Sequence, residues 1–356
     1  MKQARIVVGA NYGDEGKGTV VANLTKRSEG SVLNILTNGG AQRGHSIVTE
    51  HGSTTFQHFG SGTYHGADSY YSRFFILNPM QFVKEYNSLI VKPKHIYRDR
   101  ACRWSTPYDS MANLIMESLK ERKASCGMGI WNTIKRYKSI PALPLDDFVA
   151  SENPFSFLIH VKQYYETQVT IPDDWKQTWN SQGLMNHFLD DCRTMVSLTE
   201  VVDFPKLEYD NLIFENGQGL LLCDRGQDSY DTTPSNTGIA YAINMLKPIK
   251  DIDLQVHYVT RPYLTRHGDG FLKSQVEHRN RISSSIEEDR TNHYNEFQGD
   301  FRYGELNLEN LRYRIISDCG GNNFSVDVTH CDEMDRTEEF KEKFAKVNVY
   351  DSALIK

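Results

Sequence analysis

The order of hydrophobic and polar positions predicts that the chain begins as a parallel α/β fold. Residues 5–10 (R-I-V-V-G-A) form a short apolar run ending in small residues, which is typical of a buried strand. A helical spacing of apolar residues follows over 17–26, and a second apolar run at 31–37 ends in the turn signal N-G-G at 38–40. Strand, glycine loop, helix and strand in this order are how a doubly wound sheet begins.

The rest of the chain continues this pattern. Apolar spacing predicts helices over 111–123, 155–166 and much of 180–199, and strands over 211–222, 253–261 and 313–317. The polar segment 274–304 is typical of a loop. Because there is no internal repeat or low-complexity linker, we predict a single domain over 1–356, with a large, mostly parallel twisted sheet and helices on both faces.

Composition narrows the class of protein. The 356 residues are enough for a large core, and 39% hydrophobic and 24% charged residues are ordinary for a globular protein. We expect no membrane span and no signal peptide, and six cysteines without a C-x-x-C pair indicate reduced thiols, hence a cytoplasmic protein. A net charge of −6 argues against a nucleic-acid partner but leaves a nucleotide substrate open.

The first glycine loop is suited to binding an anion. A strand, a glycine loop and a helix N-terminus present backbone N–H groups and a positive dipole end. Gly13, Gly16 and Gly18 allow close approach, and Lys17 adds a charge that suits phosphate. The usual G-x-x-x-x-G-K-[ST] template is not met, because position 11 is Asn and position 18 is Gly.

Two carboxylates in this loop need a separate explanation. Asp14 and Glu15 would repel a bare phosphate, so they would be useful if they held Mg²⁺ or took a proton from the group being phosphorylated. The alternative is that both cap the following helix. A histidine, His45, follows the next strand and is expected at the same ligand-binding edge of the sheet.

Three motifs together resemble the adenylosuccinate synthetase family. Y-G-D-E-G-K-G at 12–18 and G-G-A-Q-R-G-H at 39–45 are similar to that family's W-G-D-E-G-K-G and G-G-H-N-A-G-H. F-E-N-G-Q-G at 214–219, with T-P-S-N-T at 233–237, is similar to F-E-G-A-Q-G and T-S-S-N-T. Weaker matches at 124–130 and 259–261 extend the resemblance over most of the chain, and it implies the family's P-loop-like α/β fold.

The resemblance implies a ligase mechanism that explains the acidic loop. A triphosphate gives its γ-phosphoryl group to the 6-oxygen of a purine nucleotide, and the amine of L-aspartate displaces that phosphate. Asp14 would take the N1 proton and, with the carbonyl of Gly44, bind Mg²⁺. His45 would stabilise charge on the leaving β-phosphate oxygens. The transferring phosphate would be held by Gly16, Lys17 and Gly18.

The resemblance also assigns the nucleotide sites. Gln218 would contact the acceptor purine and Thr233 its 5′-phosphate, while Ser125 and Cys126 stand where the family has Thr-Thr. Lys135 or Arg136 would reach the phosphate of a partner subunit, so a homodimer is expected. Further nucleotide or phosphate contacts are expected at Asn11, Gly13, Glu15, Thr19, Asn38, Gln42 and Arg261.

Departures from the family pattern bear on the substrates. The arginine-rich aspartate loop, T-T-G-R-R-R-R-T-G in the family, is reduced to 297–304 with one arginine, Arg302, which we expect to bind aspartate. If the loop is misaligned, Arg281 or Arg290 takes this place. Fewer arginines remove donors that would reward a ribose 2′-hydroxyl. The guanine-reading T-K-x-D block is T-H-C-D at 329–332, which keeps Asp332 but favours ATP or dATP over strict use of GTP.

A short chain with these departures resembles the phage-encoded branch of the family, whose members act on dGMP. The implied products are 2-amino-2′-deoxy-N6-succinyladenylate, ADP and phosphate. Three alternatives stay open: the ordinary reaction of IMP with GTP, a nucleotide sensor without ligase activity, and a nucleotide kinase or GTPase. A sensor would need neither Asp14 nor His45, and a kinase would turn over without aspartate.

Overall fold

A parallel sheet forms the centre of the computed structural model, which describes residues 1–49, 52–120, 125–223, 232–289, 292, 294 and 299–352. The strands within these residues are β1 Lys2–Gly9, β2 Val32–Leu36, β3 Gly39–Gly40, β4 His45–Thr49, β5 Gly52–Phe56, β6 Asp68–Tyr71, β7 Phe75–Leu77, β8 Ile96–Arg98, β9 Arg103–Trp104, β10 Glu200–Val201, β11 Asn211–Gly219, β12 Ile252–Thr260, β13 Leu264–His267, β14 Phe301–Gly304, β15 Phe324–Val328 and β16 Val347–Val349.

Helices connect and cover these strands. Within the same residues they are α1 Lys17–Arg27, α2 Pro79–Ser88, α3 Pro107–Ser118, α4 Ile130–Ser139, α5 Leu145–Ala150, α6 Pro154–Glu166, α7 Asp173–Trp179, α8 Gln182–Leu198, α9 Ala240–Leu246, α10 Leu308–Cys319 and α11 Thr337–Lys343. No helix in the described ranges has both the length and the apolar character that a membrane crossing requires.

The main sheet has nine strands in the order β10-β8-β6-β2-β11-β1-β12-β15-β16. Every neighbouring pair is parallel. β1 lies between β11 and β12. After β1 the chain continues to β2, on one side of β1, and after β11 it continues to β12, on the other side. This arrangement places a crevice at the carboxyl ends of the central strands, where ligands bind in open α/β sheets.

Side chains that alternate along β1 explain why helices cover both faces. Ala4, Ile6 and Val8 point to one face and pack in a core that includes residues of α9, α10 and α11. Val7 points to the other face and packs with Val20 and Val21 of α1. The predicted fold class, a parallel sheet with helices on both faces, is confirmed.

Two boundaries of predicted elements differ from the structure. The helix predicted over 111–123 begins earlier, at Pro107, because Thr106 and Asp109 form a reciprocal capping box at its start. It ends at Ser118, and 121–123 lie outside the described residues. The strand predicted over 211–222 ends at Gly219 and continues as a 3₁₀ turn.

One predicted strand is wrong. Residues 313–317 lie in helix α10, whose buried positions Leu308, Leu311, Ile315 and Cys319 follow a helical spacing. The β-branched pair at 315–316 favours a strand locally, but burial along the whole helix decides the structure. The loop predicted over 274–304 contains a 3₁₀ turn at Arg279–Arg281 and strand β14 among its described residues.

Candidate active site

Five loops meet at the carboxyl edge of the central strands. They follow β1, β2, β11, β12 and β15. Here a cavity of about 260 Å³ opens against the N-terminus of α1. Its lining comprises Gly13, Asp14, Gly16, Lys17, Gly18, Thr19, Gly44, His45, Ser46, Val48, Arg261, Ser285, Glu287, Glu288, Asp289, Asn292, His330, Asp332, Glu333 and Ser352. Thus Asp14, Lys17 and His45, predicted from two separate motifs, share one cavity.

The first glycine loop is shaped by close contacts on both sides. Gly13 and Gly16 have φ values of 118° and 86°, which residues with a side chain rarely adopt. A Cβ atom on Gly18 would lie 2.7 Å from the carbonyl oxygen of Ser46. The glycine that replaces the usual Ser/Thr at position 18 is therefore required by β4, which crosses the start of α1.

Glu15 braces this loop from inside. Its carboxylate, 2% exposed, accepts the backbone N–H groups of Asn11 at 2.9 Å and Gly13 at 2.8 Å. It also lies 3.2 Å from Nζ of Lys17, which donates to the carbonyl of Gly13 at 2.5 Å. These contacts contradict a direct contact of the Glu15 carboxylate with nucleotide. The alternative, that Asp14 and Glu15 cap the following helix, does not hold either, because no described side chain caps α1.

Asp14 has a different environment from Glu15. It is half-buried and lines the cavity, and its backbone carbonyl accepts a hydrogen bond from Nε of Arg261 at 2.8 Å. Burial raises the pKa of the Asp14 carboxyl, and Glu15 adds to the rise, whereas His267, Lys17 and Arg261 oppose it. A carboxylate with a raised pKa is a stronger base, as a proton acceptor in catalysis must be.

The cavity fits the way proteins hold Mg²⁺. Asp14 and Gly44 both line it and offer a carboxylate and a carbonyl oxygen. Among the described residues no group of three or more His, Cys, Asp or Glu side chains could hold a metal ion. Mg²⁺ commonly takes one or two carboxylates and completes its shell with water and substrate phosphates, so this donor set suits it.

His45 is held through its Nδ1 atom by Glu215, in the middle of β11. Nδ1 lies 2.5 Å from Oε1 of Glu215, and since an ionised carboxylate can only accept, we assign the proton to Nδ1. Burial and Arg43 lower the pKa of His45 to about 4, against the opposing effect of Glu215. The imidazole is therefore neutral, and Nε2, across the ring from Glu215, is left for the cavity.

Glu215 remains ionised although it is fully buried. Burial alone would raise its pKa, but Arg43, His45 and Ser61 outweigh burial and hold the pKa at about 2. No role for Glu215 or Arg43 was predicted from the sequence. Their positions inside two recognised motifs were the available signal.

The predicted acceptor residues converge on a second group of loops. A Cβ atom on Gly39 would lie 3.2 Å from Oε1 of Gln218, and one on Gly40 would lie 2.6 Å from Cδ1 of Ile130, at the start of α4. Nε1 of Trp131 donates to the carbonyl of Thr232 at 3.4 Å. The turn at 38–40, the start of α4 and the segments around Gln218 and Thr233 are thus adjacent.

Three of the predicted nucleotide contacts carry buried polar atoms that lack a partner. Within the described part of the chain, Oε1 of Gln42, Oε1 of Gln218 and Oγ1 of Thr233 make no hydrogen bond. Buried polar atoms are nearly always paired, so each of these is suited to receive a ligand. Gln218 also has a φ of 56°, a strained value that occurs often at functional sites.

Asn11 and Asn38 serve to pack loops. Nδ2 of Asn11 donates to Oγ1 of Thr260 at 2.9 Å, and its Oδ1 accepts from Arg314. The amide of Asn38 exchanges two hydrogen bonds with the backbone of Gly217, at 2.8 Å and 3.2 Å. Both side chains were predicted to contact nucleotide, but the structure uses their amides to join neighbouring loops.

The loop before α4 contains the residues that replace the family's Thr-Thr. Oγ of Ser125 donates to Oδ1 of Asn113 at 2.8 Å, and burial raises the pKa of the Cys126 thiol. Neither residue lines the cavity at α1. Their place before α4 puts them near the loops that contain Gln218 and Thr233.

Arg136 is not available to a partner subunit. It is 1% exposed and pairs with Asp109, its Nε at 2.8 Å from one carboxylate oxygen and Nη2 at 3.0 Å from the other. The prediction for Arg136 is therefore wrong, because removing a buried cation from its carboxylate would be costly. Lys135, one residue earlier, is exposed and lies over the ring of Trp131.

The remaining predicted residues divide between the cavity and its surroundings. Arg261 lines the cavity and pairs with Asp289 at 2.6 Å. Asp332 also lines it, but its oxygens accept from the N–H and Oγ of Ser352 at 2.6 Å and 2.5 Å. Arg302, on β14, donates to Oε1 of Gln275 at 2.6 Å and to the carbonyl of Gly270. The alternative Arg290 lies outside the described residues, and Arg281 is exposed.

Comparisons with known proteins agree with this geometry. The fold and site define an α/β protein with a glycine loop, an acidic residue and a histidine at one sheet edge. The family model for adenylosuccinate synthetase matches residues 6–342. The chain belongs to the adenylosuccinate synthetase family.

Individual relatives are distant. The adenylosuccinate synthetase of Blochmanniella pennsylvanica is 26% identical over 289 residues, which cover 78% of this chain and 66% of that protein. The enzyme of Haemophilus influenzae is 25% identical with the same coverage. The chain therefore spans slightly less than two thirds of the length of these relatives.

Two solved structures share the fold. The fully ligated adenylosuccinate synthetase from Plasmodium falciparum aligns with a TM-score of 0.74 and 22% identity, over 94% of this chain and 78% of that one. The cyanophage S-2L succinoaminodeoxyadenylate synthetase, bound to dGMP and to dATP as an energy donor, aligns with a TM-score of 0.66 and 13% identity, over 99% of this chain and 91% of that one.

Proposed function

We propose that this chain is a ligase that joins L-aspartate to C6 of dGMP. ATP or dATP would supply a phosphoryl group to the 6-oxygen, and the aspartate amine would then displace it as phosphate. With ATP the products are 2-amino-2′-deoxy-N6-succinyladenylate, ADP and phosphate. The observation that carries the proposal is Asp14, a half-buried carboxylate that shares one cavity with His45 and the N-terminus of α1.

Each residue of this cavity would have a chemical role that follows from its position. Asp14 would accept the N1 proton of the purine, which makes the 6-oxygen nucleophilic. Backbone N–H groups at Gly16–Gly18 would hold the transferring phosphate, because the first N–H groups of a helix lack intrahelical acceptors. Nε2 of His45 would act where charge develops on the leaving phosphate, after taking up a proton as the phosphates bind.

Mg²⁺ would be held by the carboxylate of Asp14 and the carbonyl of Gly44. When bound, it would neutralise negative charge on the donor phosphates. The protein contributes position and electrostatics to this transfer and little covalent chemistry.

Two observations support dGMP as the acceptor. The alignment with the phage enzyme that binds dGMP covers 91% of that chain, whereas the alignment with the Blochmanniella pennsylvanica enzyme covers 66% of that protein. The arginine-rich loop is reduced to Arg302, whose described contacts are to Gln275 and Gly270. Without an arginine that hydrogen-bonds the ribose 2′-hydroxyl, the site gains no binding energy from that hydroxyl and has no preference for ribonucleotides.

Competition between acceptors tests this proposal. Equal concentrations of dGMP, GMP and IMP are incubated with aspartate and Mg²⁺-ATP, and the succinyl products are identified by mass. We expect the dGMP product to dominate. A dominant product from IMP would indicate ordinary adenylosuccinate synthesis, the reaction for which the bacterial relatives are named. Nucleotide turnover that does not require aspartate would instead indicate a kinase or GTPase, and no turnover at all a nucleotide sensor.

The donor site is expected to accept ATP at least as well as GTP. Asp332, the residue that would read guanine, is hydrogen-bonded to Ser352, and His330 stands in place of the family's lysine. The kcat/KM values for ATP, dATP and GTP with dGMP and aspartate measure this preference. A tenfold preference for GTP would contradict it.

A homodimer remains part of the proposal. Lys135 is exposed on α4 and is the basic residue left to reach a partner's phosphate site. Light scattering of the purified protein measures the assembly, and Lys135→Ala should raise the KM for the acceptor nucleotide if the contact exists.

A further inference from the structure

Arg43 is a buried cation that the proposed mechanism does not use. Its side chain has no exposed surface, and its Nη2 atom lies 3.0 Å from Oε1 of Glu215 and 3.0 Å from Nδ1 of His45. Since Nδ1 carries the proton given to Glu215, the hydrogen bond of Arg43 is made to the carboxylate. Arg43 therefore acts on His45 through Glu215.

The carboxylate of Glu215 is fixed by several donors. Ser61 donates its N–H to Oε2 at 2.9 Å and its Oγ–H to Oε1 at 2.8 Å. Arg43 adds a charged donor to the same Oε1 atom that holds His45. Hydrogen bonds between charged groups are short and directional, so these contacts leave the carboxylate one orientation.

A side chain at position 217 would crowd Arg43. A Cβ atom on Gly217 would lie 3.1 Å from Cγ and 3.2 Å from Cδ of Arg43, closer than ordinary van der Waals contact. The family motifs that this chain resembles have alanine at both positions, in N-A-G-H and F-E-G-A-Q-G. Here the two alanines are replaced by Arg and Gly, and the structure places the exchanged residues in contact.

We propose that Arg43 is a positioning residue of the active site. It fixes the Glu215 carboxylate and, through it, the Nδ1 side of the His45 ring, and it can do so because residue 217 is glycine. The catalytic part of this inference rests on the proposed function, in which Nε2 of His45 faces the leaving phosphate. The coupling between Arg43 and Gly217 does not depend on that function.

Kinetics of four variants test the positioning. Arg43→Ala should lower kcat by roughly 10- to 100-fold, the usual range for residues that orient an active group, with the KM values of both nucleotides within about threefold. Arg43→Lys, which keeps the charge, should recover part of this loss. Gly217→Ala should lower kcat in the wild-type background and cost little in Arg43→Ala, because the clash has been removed. Equal costs of Gly217→Ala in both backgrounds would overturn the coupling.

A spectroscopic measurement separates this inference from the proposed function. Histidine ¹⁵N resonances of the ligand-free protein report which ring nitrogen of His45 carries the proton, with His45→Gln supplying the assignment. We expect the Nδ1–H tautomer in both proteins, because Glu215 remains the acceptor. In Arg43→Ala we expect a shifted and exchange-broadened Nδ1 resonance, because the carboxylate is no longer fixed. An unchanged, equally sharp resonance in that variant would overturn the positioning role even if the enzyme were inactive with every acceptor. Absence of turnover with a shifted, broadened resonance would instead count against the proposed function alone.

Arg98 provides a matched control. It is a buried arginine on β8, 2% exposed, in a two-bond pair with Asp146 at 2.6 Å and 2.7 Å, and it does not line the cavity. Arg98→Ala should lower the midpoint of thermal unfolding and leave kcat and the His45 spectrum unchanged. If Arg43→Ala does not fold, Arg43→Lys and Gly217→Ala carry the same test, since each should shift the His45 resonances and lower kcat.

Discussion

At the scale of single residues, Asp14 and Glu15 are neighbours with opposite roles. Glu15 is 2% exposed and accepts two backbone N–H groups, whereas Asp14 is half-buried at the cavity. A carboxylate whose oxygens already hold the loop together contributes to stability. A carboxylate that faces the cavity with a raised pKa can take part in chemistry.

Replacing Asp14 by Asn should abolish turnover and leave the fold intact. The amide can neither accept the N1 proton nor supply a charged metal ligand. Loss of a positioned general base alone lowers kcat by roughly 10²- to 10⁴-fold. Steady-state kinetics with dGMP, aspartate and Mg²⁺-ATP measure kcat, and thermal unfolding checks the fold. Retention of more than a tenth of the wild-type kcat would exclude the assigned role.

Replacing Glu15 by Gln should instead destabilise the protein. The amide has one acceptor oxygen. If that oxygen accepts from Asn11 and Gly13, as Oε1 of Glu15 does, the NH₂ group faces the ammonium of Lys17; in the other orientation it faces the two N–H groups. Leaving buried donors unpaired costs about 1–3 kcal/mol. Urea unfolding of Glu15→Gln and Asp14→Asn, measured side by side, checks this. Equal stability of the two variants would show that Glu15 does not brace the loop.

Single residues also show which parts of the site could be predicted from the sequence. Asp14, Lys17 and His45 could be predicted because their motifs are local and lead from a strand into a ligand-binding loop. Glu215 and Arg43 could not, because their contact joins positions 172 residues apart and depends on which strands are neighbours. Arg136 was misjudged because its partner Asp109 comes from a different helix.

At the scale of elements, α10 shows where local propensity fails. The residues Y-R-I-I-S at 313–317 favour a strand when taken alone, because two isoleucines are adjacent. The helical period becomes visible only over the 12 residues of α10, whose inward positions meet the face of the central sheet. α10 also contains Arg314, which donates to the carbonyl of Ala10 at the start of the glycine loop.

The two isoleucines provide a matched test of this helix. Ile315 is fully buried and Ile316 is 47% exposed, although they are adjacent and identical. Ile315→Ala should lower the free energy of unfolding by about 2–5 kcal/mol, as for other buried aliphatic truncations. Ile316→Ala should cost less than about 1 kcal/mol. Urea unfolding measures both, and similar costs would contradict the helical placement.

At the scale of the whole molecule, the order of the strands assembles the site. The parallel class and the helices on both faces were predictable from the alternation of strand and helix patterns. The insertion of β11 between β1 and β2 was not, since β11 follows β2 in the chain by more than 170 residues. That insertion brings the part of β11 that contains Glu215 and Gln218 between the two N-terminal loops, and no local pattern encodes it.

The whole molecule should also lose stability in mild acid because of a buried histidine near the site. His58 packs against Tyr71, Phe75 and Phe82, and burial, followed by Arg43, lowers its pKa from 6.5 to about 3. The unfolded chain binds a proton below pH 6.5 that the folded chain does not, so stability present at neutral pH falls as the pH decreases. Between pH 7.5 and pH 5 this one group should lower the free energy of unfolding by about 2 kcal/mol.

Urea unfolding of His58→Gln tests this. Its amide can still accept from Asn78 and donate to Tyr71, and its free energy of unfolding should fall correspondingly less over that interval. His160→Gln, at an exposed position on α6, should show the wild-type pH dependence. An equal loss in wild type and His58→Gln would show that His58 takes up its proton in the folded protein.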